Sequence, residues 1–250
     1  DDFRITVVEN SNNENFKRKI EKRKNTKCIL TSSNLGFGAA FNVGAKKINS
    51  KYIFHLNPDV MINNEIIFKM YEIAKKIKNL GILSCNETNR NTHSLNQNIF
   101  DYNEVDNVKG FVMLINNTNC KISNYFDDNF FLYFEEIDLC KRVKNENGKI
   151  LIDKNIKIHH EGASSVTQIV RDKLELNRNW HWMWSTFYFH KKHKGFVIAF
   201  IIIFPKLLSS IFKTIFFCMN KTKRNIYYHR LSGIINSILG KKSWHRPTID

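Results

Sequence analysis

The sequence predicts an α/β protein: a mostly parallel sheet flanked by helices, with a basic, aromatic-rich helical region after it. Three observations predict it. Short β-branched apolar runs recur through the first two-thirds of the chain, helical periodicities lie between them, and the positive charge collects at the rear.

The strand candidates, in order, are Ile5–Val8, Cys28–Leu30, Tyr52–Leu56, Gly81–Cys85, Phe111–Ile115 and Ile150–Ile152. Their length and branching suit buried strands. Gly38 to Ile48 reads as a helix with small or apolar Ala39, Ala40, Val43 and Ala45. Asn64 is a candidate cap for a helix whose Ile66, Ile67, Met70, Ile73, Ala74 and Ile77 fall at helical spacing. Asn86 to Asn107 is polar and Asn-rich and reads as a long loop or insertion. Residues 1–178 are taken as the sheet domain and 179–250 as the helical region.

The 250 residues carry a formal charge of +16, of which Arg171–Asp250 holds +12 and the rest +4. Five scattered cysteines without a CxxC pair read as reduced structural thiols, which suits a cytosolic setting. No signal-peptide pattern opens the chain.

Ligands of open α/β sheets bind beyond the carboxyl ends of the strands. Three candidate strands end there in polar sequence: Glu9-Asn10-Ser11, Thr31-Ser32-Ser33-Asn34 and Asn57-Pro58-Asp59. Pro58 has a fixed φ and biases Asn57 towards an extended backbone, which holds Asp59 rigidly at the tip. Asp59 is then a ligand for a hard divalent cation, or a cap for the next helix. In "NLGFGAAFNVG" (Asn34 to Gly44) the glycines allow close backbone approach at a helix start, which suits an anion or a plain strand–turn–helix. "FDDNFFLYFEEIDLCKRV" sets Glu135, Glu136 and Asp138 among aromatics, where carboxyl pKa values rise and a general base is favoured. Acidic residues at a helix start also suit the helix dipole, and Asp138 can pair with Arg142 one turn on. His159 and His160 end a strand as structural or metal-ligating imidazoles.

Taken in order, "VVENSN", "NLGFGAAFNVG", "LNPDV", "VKGFVMLI", "FDDNFFLYFEEIDLCKR" and "HHEGAS" resemble the family 2 glycosyltransferases, specifically their bacterial rhamnosyltransferase-like branch. The resemblance covers roughly residues 5 to 165. It implies a GT-A fold, a nucleotide-sugar donor and a divalent cation, Mg or Mn. It implies donor contacts at Glu9, Asn34, Gly36, Gly38, Asn42, Asn57, Asp59 and Gly110. Asp59 matches the final acid of the metal-binding motif, His160 a further metal ligand, and Ser164 the serine of the same HxxGxS pattern. Glu136 matches the catalytic base, with Glu135 an alternative and Asp138 beside them. The base and Glu9 are each Glu where the family usually has Asp. Such enzymes begin with a further strand and helix before "VVEN", which the residues from Asp1 do not include. The implied activity is inverting transfer of a hexose, with rhamnose favoured, to a hydroxyl of a glycan or lipid-linked acceptor in cell-surface polysaccharide synthesis.

In the rear, Trp180, Trp182, Trp184, Phe187 and Tyr188 precede Lys191, Lys192 and Lys194. Phe196 to Phe204 is wholly apolar but too short to span a bilayer, and Pro205, Lys206 and Lys213 interrupt the apolar sequence beyond it. On a helix, Lys206, Ser209, Ser210 and Lys213 share one face and Leu207, Leu208, Ile211, Phe212, Ile215 and Phe216 the others. That pattern suits a helix lying in an anionic membrane interface, at the inner face of the membrane. A core or oligomer-forming helix pair is the bland alternative. The charge also raises nucleic-acid binding, but the basic residues are interleaved with Ile and Phe runs rather than a reader motif, so no nucleic-acid partner is expected. An inactive GT-A-like scaffold is the remaining alternative.

Overall fold

A computed structural model describes residues 3–88, 94–95, 101–118, 124–159 and 168–246. The chain forms two compact units: Asp1–Asn34, Ala40–Phe126 and Glu136–Ser164 make the first, and Leu35–Ala39, Asp127–Glu135 and Ser165–Asp250 the second.

In the first unit, β1 (Ile5–Glu9) and β2 (Thr26–Leu30) pair in parallel around α1 (Glu14–Ile20), with Glu9 opposite Leu30. The helix α2 (Phe37–Ala45) continues into this unit. Its Gly44 has no room for a side chain, because a Cβ there would sit 2.8 Å from the Val8 side chain. A second sheet has the order β3 (Tyr52–Leu56), β7 (Val112–Asn116), β4 (Leu80–Thr88), β8 (Lys149–His159) and β5 (Ser94–Leu95), with β6 (Tyr102–Glu104) also on β8. β7 is antiparallel to both β3 and β4, while β8 is parallel to β4, so this sheet is mixed. The expected loop at Asn86–Asn107 supplies the end of β4, β5 and β6.

The helix α3 (Asn64–Lys76) is amphipathic. Its Ile66, Met70, Ile73 and Ala74 are buried against Leu80, Leu83, Val112 and Leu114 of the sheet. The cap is Asn63, one residue before the expected Asn64, because the Asn63 side chain accepts the Ile66 N–H at 2.9 Å. A bulge in β8 puts Asp153 opposite Cys85 and Lys157 opposite Asn86. The Asp153 Oδ1 closes it by accepting N–H bonds from Asn155 and Ile156 at 2.7 and 3.1 Å. The helix α4 (Glu135–Asn145) completes the unit.

The second unit is helical: α5 (Gln168–Lys194), α6 (Phe196–Phe216) and α7 (Lys221–Ile238). α5 runs without a break through residue 178, where the helical region was expected to start. Met183, Phe187, Ala199, Ile203 and Ile234 form its core. His181 bonds Ser243 and the His245 carbonyl, and burial lowers its pKa to about 3, so it is neutral.

α6 continues through Pro205 to Phe216, so the apolar run read as nine residues and too short to span is part of a longer helix. Only the proline's missing N–H is lost from the ladder. The helix is 21 residues long and, among the described residues, is the one helix long and apolar enough to cross a membrane. Ala199, Ile203 and Ser210 face inward, whereas Val197, Ile201, Phe212, Ile215 and Phe216 are each at least 65% exposed. Ser210 and the small Ala199 thus turn to the protein with Ile203, while most of the large apolar residues of the helix face outside.

Candidate active site

The tips of β1 and β2 gather a polar cluster because the strands are parallel neighbours. Glu9 at the end of β1 accepts through Oε2 from the Ser11 N–H and hydroxyl at 3.0 and 2.7 Å. Asn10 donates to Asn34 Oδ1 at 3.1 Å, and Thr31 donates to Asn10 Oδ1 at 3.1 Å. Glu9 and Asn34, 25 positions apart in sequence, are therefore brought to one edge by β1–β2 pairing.

Asn57 at the tip of β3 donates its N–H to the Phe111 carbonyl at 2.9 Å, and its own carbonyl accepts from Val60 at 3.2 Å. This closes a turn around Pro58 and half-buried Asp59. The solitary His55 of the strand has a structural part in that turn. Its Nε2 lies 3.3 Å from Asn57 Oδ1, and the Gly110 backbone also bonds the ring. Burial outweighs both and lowers the His55 pKa to about 4. A neutral imidazole thus ties the Asn57–Asp59 turn to Gly110 at the start of β7.

Beside this tip lies a cavity of about 410 Å³ lined by Cys85, Asn86, Glu87, Lys109, Phe111 and Ile152. Lys109 and Glu87 form an ion pair across it at 2.6 Å. Both are functional candidates that the sequence reading missed; position next to Gly110 is the only signal that points to Lys109.

The three acids of α4 differ in exposure and partners. Asp138 is fully buried and accepts from Arg142 Nε at 2.8 Å. Arg142 also donates to the carbonyls of Asn124, at 2.9 Å, and Tyr125. Asp138 is thereby a positioning group for this segment rather than a freely accessible carboxylate. Glu135 is 5% exposed. Glu136 is half-buried, and desolvation raises its pKa despite backbone N–H bonds that oppose the shift. A chain of aromatic contacts runs from the β3 tip towards α4. The Phe41 ring meets His55 at 5.2 Å, Tyr125 at 5.4 Å and Phe126 at 5.0 Å, and Tyr125 is gripped by Arg142.

Asn42, implied as a donor contact, is held within the first unit. It is 2% exposed, its Nδ2 donates to the Phe126 carbonyl at 2.7 Å, and its Oδ1 accepts the Phe126 N–H at 3.0 Å. Both ends of the amide are engaged by one backbone residue, which makes Asn42 a clamp. His160 and Ser164 lie outside the described residues.

Within the second unit, Gly36 has φ +87°, and a Cβ there would lie 2.4 Å from the Phe131 carbonyl oxygen, so glycine is required. Gly38 is buried in the first turn of α2. Just before Glu135, Tyr133 and Phe134 have φ of 68° and 72°, which bulky residues rarely adopt. Ser185 donates to the Leu132 carbonyl at 2.9 Å, and Trp182 packs on both rings at 5.2 and 5.3 Å. Such contacts hold a backbone that otherwise costs about 1–3 kcal/mol per residue. No sequence signal marks two left-handed aromatics.

Among the described residues no three His, Cys, Asp or Glu side chains cluster as a metal cage. A single hard carboxylate, that of Asp59, with the Asn57 amide fits a cation that takes its remaining ligands from a diphosphate and water.

This arrangement, a mixed sheet flanked by helices, is that of the GT-A fold. A mannosyltransferase from Pyrobaculum calidifontis, solved in complex with GDP-Man and Mn2+, matches over 96% of this chain and 79% of its own with a TM-score of 0.55 at 8% identity. TarS residues 1–349 of S. aureus match over 96% of this chain and 83% of theirs, with a TM-score of 0.48 at 12% identity. Residues 1–138 match the description "Glycosyl transferase family 2", and the chain belongs to that family. The low-salt glycan biosynthesis hexosyltransferase Agl10 of Haloferax volcanii is 26% identical over 167 residues, covering 57% of this chain and 54% of Agl10. The chain spans about half the length of that curated relative.

Proposed function

We propose that the chain transfers a hexose, with inversion, from a nucleoside-diphosphate sugar to a hydroxyl of a glycan or lipid-linked acceptor. The observation that carries this reading is Glu136: of the three acids in α4 it is the one partly open to solvent, and burial raises its carboxyl towards the range of a general base. Its carboxylate takes the proton of the acceptor hydroxyl. The oxygen forms a bond to the anomeric carbon as the bond from that carbon to the diphosphate breaks, and the diphosphate leaves with the electron pair. One displacement inverts the anomeric centre. Glu9, Asn34 and the glycines at 36 and 38 bind the donor, and Gly110 lines the sugar pocket. Asp59 and Asn57 would hold the diphosphate side, where a divalent cation, Mg or Mn, would neutralise developing charge; the family resemblance implies His160 as a further ligand. The cavity between Glu87 and Lys109 lies within the size range of ligand pockets and receives the acceptor. Rhamnose is the sugar, and cell-surface polysaccharide synthesis the setting.

The outward apolar face of α6, flanked by Lys191, Lys194, Lys221 and Lys223, supports attachment at the cytoplasmic face of an anionic membrane. α6 packs along α5 and the basic α7, so it cannot enter the hydrocarbon alone, which favours a helix lying in the interface over a span.

The test is Glu136→Gln against Glu135→Gln, assayed by nucleotide release and by donor binding. Glu136→Gln keeps donor binding and loses about 10²–10⁴ in turnover. Normal turnover in Glu136→Gln with a dead Glu135→Gln overturns the assignment of the base.

A further inference from the structure

Beneath the inward side of α6 lies a cavity of about 210 Å³, lined by Met183 of α5, Pro205, Lys206 and Ser209 of α6, and Tyr227 and Arg230 of α7. We propose that this cavity is a binding site for a phosphate group. Its volume is below the usual range for a nucleotide or drug-sized ligand and suits one compact anionic head.

The donors that converge there are two cations and two hydroxyls. Arg230 uses Nε on Asn179 Oδ1 at 2.6 Å, which fixes the guanidinium while leaving its terminal nitrogens directed elsewhere. Its carbon lies 5.3 Å from the Tyr227 ring centroid, and Lys213 Nζ lies 5.0 Å from the same ring. Among the described residues, no side chain hydrogen-bonds or ion-pairs with the Lys206 ammonium, the Ser209 hydroxyl or the Tyr227 hydroxyl.

The cavity lining holds no carboxylate, and the Asn179 amide that accepts from Arg230 donates in turn to Glu175 of α5 at 2.7 Å. No Asp or Glu occurs between Asn179 and Ile249, so neither α6 nor α7 carries a carboxylate. Arg230 is half-buried and Lys206 stands exposed at the rim, so an anion in the cavity would meet one partly desolvated cation and one open to solvent. A phosphate presents three or four oxygens to these four donor groups, and the Arg fork suits it, whereas a carboxylate has only two oxygens to share.

The phosphate has two sources, a phospholipid headgroup or a soluble phosphate. The lipid source rests on the membrane reading of α6; phosphate binding itself does not.

The experiment uses the full chain. Binding of inorganic phosphate is measured by calorimetry. Binding to vesicles of phosphatidylcholine alone, and with phosphatidate added, is measured by flotation. The variants are Lys206→Gln, Arg230→Gln and Tyr227→Phe, with Lys22→Gln/Lys24→Gln as the control that removes the same kind of charge from the exposed turn between α1 and β2. Circular dichroism checks folding, and exposed Lys206 provides a substitution that leaves the core intact. Loss of about tenfold or more in inorganic phosphate affinity in the cavity variants, with the control unchanged, supports a soluble phosphate. The same loss confined to phosphatidate vesicles supports a headgroup. Phosphate binding through the cavity by a chain that ignores every vesicle keeps the site and removes the membrane reading. Cavity variants that match the control, or wild type, in both assays overturn the proposal.

Discussion

Asn42→Ala separates a structural clamp from a donor contact. In the folded chain the Asn42 amide satisfies both the N–H and the carbonyl of Phe126, and both Asn42 and Phe126 are buried. Alanine leaves those two backbone groups without their partner. An orphaned buried polar group costs about 1–3 kcal/mol, so the pair places the loss near 3 kcal/mol, towards the lower end because water can enter the vacated space. For a chain of this size each kcal/mol moves Tm by about 2–4 °C, which gives a fall of about 6–12 °C. Asn42→Asp keeps the acceptor and loses the donor, so it does no better. The assay is a circular-dichroism melt beside donor KM measured well below the lowered Tm. The clamp requires a lower Tm with donor KM within about twofold of wild type. An unchanged Tm with a large rise in donor KM refutes it and restores Asn42 to the donor.

Gly36→Ala forces a left-handed residue and a Cβ 2.4 Å from the Phe131 carbonyl oxygen; strain and overpacking together cost about 2–5 kcal/mol, read as a lowered unfolding midpoint in urea. Glu136 has a raised pKa from burial, so the folded state holds its proton longer than the unfolded chain, and stability falls as pH rises from the ordinary Glu range through the raised value. Glu136→Gln is therefore at least as stable as wild type at pH 7, and urea titrations show that difference vanishing below the ordinary Glu pKa. In the active enzyme the same shift moves the acidic limb of kcat/KM above the usual carboxylate range, where a pH–rate profile detects it. Phe212→Asp with Ile215→Asp, both on the exposed face of α6, abolishes flotation with anionic vesicles while leaving the melt of the chain unchanged.

The sheet and its helices were legible because their signals are local. Branched apolar runs and a 3.6-residue apolar period need only near neighbours, and the observed β3, β7 and α3 match them closely. The ordered motifs were legible for the same reason, and membership of family 2 rests on them. The polar stretch at Asn86–Asn107 was harder, since β5 and β6 are short edge segments whose pairing on β8 has no apolar pattern to announce it. The length of α6 was not legible in the apolar run Phe196–Phe204, since Pro205, Lys206 and Lys213 end the apolar pattern while the helix itself, packed against α5 and α7, runs on to Phe216.

By itself, then, the order of residues determined the α/β class, the family and the acids that compete for chemistry. The folded chain alone decided which of these acids is clamped and which is open. The local Asp138–Arg142 pair is fixed further because Arg142 also reaches the carbonyls of Asn124 and Tyr125, and Asn42 is committed to a residue 84 positions away. It also decided that β7 inserts antiparallel between β3 and β4, and that Lys206 and Ser209 of α6 line a cavity with Arg230 and no carboxylate. Local propensity acts between neighbours in sequence, whereas exposure, hydrogen-bond partners and the balance of charge in a pocket depend on groups that only the completed fold brings together.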